Sequence, residues 1–153
     1  MTRRLRRSST LSIRNVPYFS FPGTARQAME FYHSIFGGEL TAHTFGEFGA
    51  VADDDPARDG IMHTAITGGL IDLAASDYDE RFCDGNPLVN GNHMQISLWG
   101  DDHDEGRRLF ERLAEGGAVE MPFEPQVWGD TYGGCIDRYG QSWSVKVAGT
   151  ADE

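Results

Sequence analysis

His63 and Asp72 supply an imidazole and a carboxylate in two neighbouring stretches with strand character. An imidazole that titrates at about 6.5 takes and returns protons near neutral pH, and a carboxylate beside it orients or charges the pair. Both have a plainer reading. A strand histidine bonded to a backbone carbonyl has no catalytic duty, whereas Asp72, set in Leu-Ile-Asp-Leu-Ala-Ala, needs a wet or functional face to justify a charge there. A second group is polar without being charged: Tyr18, Ser20, Gln95, Ser97 and Ser144 alternate with apolar residues in short strand-like segments and offer hydrogen bonds to a ligand. The third is aromatic. Trp128 and Tyr132 stand in Met121–Tyr132, a Gly- and Pro-containing stretch longer than a hairpin requires, and such rings either close over an apolar or planar ligand or pack at an interface between copies.

Other candidates carry less. The run Asp53-Asp54-Asp55-Pro56 lacks the ligand spacing of a calcium loop and reads as a solvated connection. His33, His43 and His103 read as surface, while His93 shares the parity of Gln95 and, with His63, offers a displaced metal site as a variant reading. Gly133, Gly134 and Gly140 read as backbone turns. Cys83 and Cys135 are too few for a disulfide framework and lack zinc-site spacing, which favours a reducing, cytoplasmic home; a bridge between them stays open as the minor alternative.

These residues sit on two copies of one unit. Tyr18 to Phe21 alternates as a strand, and a helix follows with Thr24 and Gln27 as a capping box, Ala28, Phe31, Tyr32, Ile35 and Phe36 at helical spacing, and Gly37 as a left-handed stop. Gln95 to Gly100 repeats the strand, Asp102 with Glu105 repeats the cap, Leu109, Phe110 and Leu113 repeat the apolar face, and Gly116-Gly117 repeats the stop. Ser20 matches Ser97 and Phe31 matches Phe110, with two extra residues ahead of the second helix. Strand character returns at Ile61 to Ile66 and Leu70 to Ala75, then at Gly134 to Asp137 and Trp143 to Val147, so each half reads as strand, helix and about three strands.

The class is α+β, in tandem βαβββ modules. The expected division is a basic tail over 1–11, one domain over 12–148 and a tail over 149–153, with module one at 12–76, a linker rich in Asp, Gly, Asn and Pro at 77–92, and module two at 93–148. Parity then sorts the strands. Phe19, Phe21, Ile71, Leu73, Ile96, Leu98, Trp143, Val145 and Val147 face the helices, and Tyr18, Ser20, Asp72, His93, Gln95, Ser97, Ser142, Ser144 and Lys146 face the other way. That second face either meets water or lines a cup. Composition narrows the partners: 24 acidic against 13 basic residues repel nucleic acid and anionic lipid, and no apolar run approaches the ~18 residues of a membrane helix.

Several strings carry a resemblance. Pro17-Tyr18-Phe19-Ser20-Phe21, Ala28-Met29-Glu30-Phe31-Tyr32, Ile35-Phe36-Gly37-Gly38, Met62-His63-Thr64-Ala65, Trp128-Gly129-Asp130-Thr131-Tyr132-Gly133-Gly134 and Asp137-Arg138-Tyr139-Gly140-Gln141-Ser142-Trp143 occur in an order and spacing similar to the PhnB-like branch of the vicinal-oxygen-chelate (glyoxalase/bleomycin-resistance/dioxygenase) superfamily, over about residues 12–148. The resemblance implies two modules whose sheets form a cup, a homodimer, a small-molecule ligand, and in many members a divalent metal held by one residue from each of four strands. Carried over, the metal positions fall at Pro17/Tyr18, Asp72, Gln95 and Ser144, of which only Asp72 is a good ligand. No cofactor is therefore expected. The branch also carries a methyltransferase label, yet the chain has no glycine-rich strand-to-helix turn suited to S-adenosylmethionine. Two functions stand: a module that binds a small organic molecule in the cup without the usual metal, or a lyase, isomerase or oxygenase working through a divalent metal or through His63 and Asp72.

Overall fold

The computed structural model describes residues 13–149, so the tail expected over 1–11 and most of that expected over 149–153 lie outside the described residues. The elements run β1 (Tyr18–Phe21), α1 (Ala25–Phe36), β2 (Glu39–Thr44), β3 (Ile61–Thr67), β4 (Leu73–Asp77), a 3-10 turn (Glu80–Phe82), β5 (Ile96–Gly100), α2 (His103–Ala114), β6 (Ala118–Pro125), β7 (Thr131–Ile136) and β8 (Ser142–Val147). They form two four-stranded mixed sheets, the α+β class with a repeated βαβββ order that the duplication predicts. Two compact units result: one holds the described residues up to Met29 together with Gly37–Tyr78, the other Glu30–Phe36 and the described residues from Asp79.

In the first unit the strand order is β1-β4-β3-β2, with β1 parallel to β4 and the other pairs antiparallel. Phe21, Ile61, Ile66, Leu73 and Ala75 are buried with Ala25, Ala28 and Met29 from the start of α1. The Asp77 carboxylate fastens two elements at once, accepting from the Ala25 amide and the Ile61 amide, each at 2.8 Å. That places a charge on the otherwise unpartnered N–H groups opening a helix. Gly37 ends α1 at φ 68°, the left-handed stop expected there.

The second unit repeats the order as β5-β8-β7-β6, again with one parallel pair, β5 with β8. Asp102 accepts from the Glu105 amide at 3.0 Å and starts α2 as expected. Leu109, Phe110 and Leu113 are buried with Phe123, Trp143, Val145 and Val147. From α1, the Tyr32 and Phe36 rings each lie 5.5 Å from the Trp143 ring. Gly133 is not a turn residue: it stands in the middle of β7, where a Cβ would come within 2.8 Å of the Phe123 backbone and 2.9 Å of the Phe110 ring.

Several boundaries differ from expectation for physical reasons. The third strand of each module, left unlocated by the pattern, is β2 or β6, both at sheet edges. Neither has the apolar run that marks a central strand: β2 has no fully buried residue, and β6 carries two prolines and buries only Phe123. The strand expected from Leu70 begins at Leu73, because Gly68 adopts φ 75° and makes the preceding residues a turn. The stretch Met121–Tyr132 is not a long loop; β6 runs to Pro125 and β7 begins at Thr131, leaving a hairpin connection of ordinary length. Both cysteines are free thiols. Among the described residues no helix is long and apolar enough to cross a membrane.

Candidate functional site

The face of the second sheet turned away from its helices is polar, as strand parity demands. The register sets it out in rows: Ser97, Ser144 and Gly134 lie side by side across β5, β8 and β7, and Trp99, Lys146, Tyr132 and Glu124 lie in the row beyond. Ser142, two before Ser144 on β8, shares that face, and Gln95, the residue ahead of β5, reaches it through Ser142.

These side chains are connected. The Ser144 hydroxyl donates to Ser97 Oγ at 2.7 Å, and the Trp99 indole N–H donates to the same oxygen at 2.7 Å. Gln95 Nε2 donates to Ser142 Oγ at 3.2 Å, while the Tyr132 hydroxyl donates to Gln95 Oε1 at 3.4 Å. The Trp128 ring meets Tyr132 edge-on at 6.1 Å. Lys146 Nζ stands 4.2 Å from the centre of the Trp99 ring and 3.4 Å from Asp130 Oδ2. Five of the expected ligand-binding residues, Gln95, Ser97, Trp128, Tyr132 and Ser144, thus belong to one continuous surface.

Ser144 is 1% exposed, whereas Trp99 is 73% and Trp128 57% exposed. Exposing large indoles on an otherwise polar face forgoes substantial burial, on the order of 25 cal/mol per Å² of apolar surface.

Trp99 and Lys146 were not singled out as site residues by sequence reasoning. The signal was present for both: Trp99 shares the parity of Gln95 and Ser97, and Lys146 is the chain's single lysine. Their juxtaposition depends on the parallel pairing of β5 with β8, which no local pattern specifies.

On the first sheet, Tyr18 and His63 come together. Their rings stack at 6.0 Å, and the Tyr18 hydroxyl lies 3.4 Å from His63 Nδ1. Tyr18 pairs with Ala74 and Ala74 with Ala65, which puts Tyr18, Ser20 and His63 on one face.

Asp72 departs from its expected place. It precedes β4 rather than standing within it; its Oδ1 accepts from the Gly68 amide at 3.2 Å and its Oδ2 pairs with Arg14 at 2.9 Å. It therefore closes a glycine turn. His93 likewise lies ahead of β5, exposed and outside the strand.

The donors suit a metal poorly. Of the four carried-over positions, Asp72 is engaged by Arg14, while Gln95 and Ser144 are neutral groups already hydrogen-bonded to neighbours. Among the described residues no three His, Cys, Asp or Glu side chains are grouped so as to hold an ion.

Behind the polar face, the Asp137 carboxylate organises the core. It accepts from the Tyr32 hydroxyl at 2.5 Å, the Trp143 indole at 2.8 Å, and the Tyr139 and Gln141 amides at 2.8 and 3.0 Å. Burial, reinforced by the charge on Asp137, pushes the Tyr32 phenol far above its usual range. Cys135 is pushed up to about 11, mainly by burial and then by the charges of Asp137 and Glu120, so it is an inert core thiol.

Comparison with known proteins gives a consistent picture. The family model described as Glyoxalase/Bleomycin resistance protein/Dioxygenase superfamily matches residues 18–145. Protein YjdN of Escherichia coli is 30% identical over 138 residues, which cover 86% of this chain and 92% of YjdN. The crystal structure of PA1353 from Pseudomonas aeruginosa superposes with a TM-score of 0.73 at 35% identity, covering 90% of this chain and 99% of that one. A Bacillus cereus structure named as a putative 3-demethylubiquinone-9 3-methyltransferase, PhnB protein, superposes with a TM-score of 0.69 at 20% identity, covering 89% and 100%, a likeness of fold.

Proposed function

Since the chain belongs to the glyoxalase/bleomycin resistance protein/dioxygenase superfamily, with a PhnB-like structural neighbour, we propose that it binds a small organic molecule on the polar faces of its sheets and does so without the metal many members use. The observation that supports this reading is the connected surface of the second sheet. There Gln95, Ser97 and Tyr132 supply directional hydrogen bonds, the buried Ser144 holds Ser97 from beneath, and the exposed Trp99 and Trp128 rings supply apolar area. A few placed polar groups among aromatic surface is the usual make-up of a small-molecule site. On the first sheet, Tyr18 and Ser20 are the proposed ligand contacts. The protein is proposed to act as a cytoplasmic homodimer, the assembly common in the superfamily.

A thermal-shift screen over a chemically broad panel of small molecules tests the reading. At least one compound class raises the melting temperature in a saturable manner, and Gln95→Ala removes the shift without changing the melting temperature of the free protein by more than a few degrees. If no compound shifts the transition under any condition, the binding reading is wrong.

The Tyr18–His63 pair supports a second reading, acid/base catalysis with His63 as proton acceptor. Asp72 was the expected partner; held by Arg14 and Gly68, it enters this reading as a support of the neighbouring turn. Turnover of a ligand found in the screen, lost in His63→Gln but kept in Asp72→Asn, separates this reading from simple binding.

A further inference from the structure

On the second sheet's open face hydrogen-bond donors converge around Ser97, with the Glu124 carboxylate two strands away from Lys146 at the β6 edge. Ser97 Oγ already accepts from Trp99 and from Ser144, so the proton of its own hydroxyl remains available to an incoming group. Ser142 Oγ accepts once, from Gln95, whose Oε1 accepts from Tyr132.

Charge adds to this. Lys146 is the only lysine of the chain. The arginines of this unit are engaged elsewhere: Arg81 with Asp79, Arg107 over the Phe123 ring, Arg108 with Glu105, Arg112 with Glu115, and Arg138 over the Phe31 ring. Among the described residues Lys146 is thus the one Lys or Arg on this face, in a protein of formal charge −11. Its ammonium sits against the Trp99 indole and pairs with Asp130 at 3.4 Å, a part-exposed ion pair of the kind that contributes little and exchanges readily for another carboxylate.

Resting on the binding reading above and narrowing it, we propose that the ligand is a planar organic anion such as an aromatic carboxylate. Its oxyanion takes the Lys146 ammonium and the Ser97 hydroxyl proton, and its apolar ring packs against the exposed Trp99 indole. A cationic ligand is disfavoured at this ring, because Lys146 near the end of β8 already lies over it and repels a second cation.

Three probes of matched shape and different charge decide the matter by isothermal titration calorimetry: naphthalene-2-carboxylate, naphthalene-2-carboxamide and naphthalen-2-ylmethylammonium. The carboxylate binds at least tenfold more tightly than either of the others. Lys146→Met abolishes that preference while leaving carboxamide affinity within about twofold, Lys146→Arg keeps the preference, and Asp130→Asn strengthens carboxylate binding severalfold. Equal or better binding of the carboxamide or the ammonium compound overturns the proposal, as does a preference that survives Lys146→Met. If none of the three binds but the thermal-shift panel yields a neutral or cationic ligand, this inference falls and the binding reading stands; if nothing of any charge binds, both fall.

Discussion

The Tyr32 hydroxyl donates to the Asp137 carboxylate at 2.5 Å, linking α1 to the residue that follows β7. Because the same carboxylate receives the Trp143 indole and two backbone amides, one buried acid satisfies four donors at the centre of the second unit. Asp137→Ala removes all four acceptor contacts and is expected to cost about 3–5 kcal/mol in chemical denaturation, since each buried donor left alone costs about 1–3 kcal/mol and some recover water. Tyr32→Phe, which removes one donor and keeps the acceptor satisfied, costs less than half as much. Equal losses from the two variants would show that the carboxylate is not the organising group.

Stability falls on the alkaline side. Cys135 and Tyr32 both hold their protons more tightly in the folded protein than in the unfolded chain, where their ordinary values are 9.0 and 10.0. Above those values the unfolded chain releases protons that the native state keeps, so unfolding becomes easier as pH rises. The Cys135 contribution is lost between about pH 9 and about 11, and that of Tyr32 from about pH 10 upward, at a slope approaching 1.4 kcal/mol per pH unit for each group. Denaturation midpoints measured from pH 8 to 11 check this, and Cys135→Ser flattens the first part of the decline.

Thiol chemistry separates the two cysteines. Cys135 is fully buried with a raised pKa, while Cys83 is partly exposed ahead of β5. One equivalent of a thiol reagent reacts with the native protein at pH 8, at Cys83, and the second reacts only after denaturant is added. Peptide mapping of the modified protein reads the site; rapid native labelling of Cys135 contradicts the burial.

Gly37 has φ 68° with open space where a Cβ would go, so any cost of substitution is conformational rather than steric crowding. Gly37→Val should destabilise by about 1–3 kcal/mol, and Gly37→Asn, which tolerates the left-handed region, by less. At Gly133 the order of causes is reversed: Gly133→Ala drives a methyl into Phe123 and Phe110 and is the more damaging change despite its smaller side chain.

By itself the sequence determined the repeat, both helices with their glycine stops, the Asp102 cap and the split of each sheet into an apolar and a polar face, because all of these are set by residues within a few positions of one another. Gln95, Ser97 and Ser144 were placed on the polar face by parity alone. Tertiary structure decided the rest. Asp72 looked like a strand carboxylate until the Gly68 turn and Arg14 claimed it, and β6 was hidden by its prolines and sparse burial until β7 paired with it. Lys146 came to lie over the Trp99 ring only through the parallel pairing of β5 and β8. Register between distant strands is fixed by the sum of many weak cross-strand contacts, and no single stretch of the chain contains that sum.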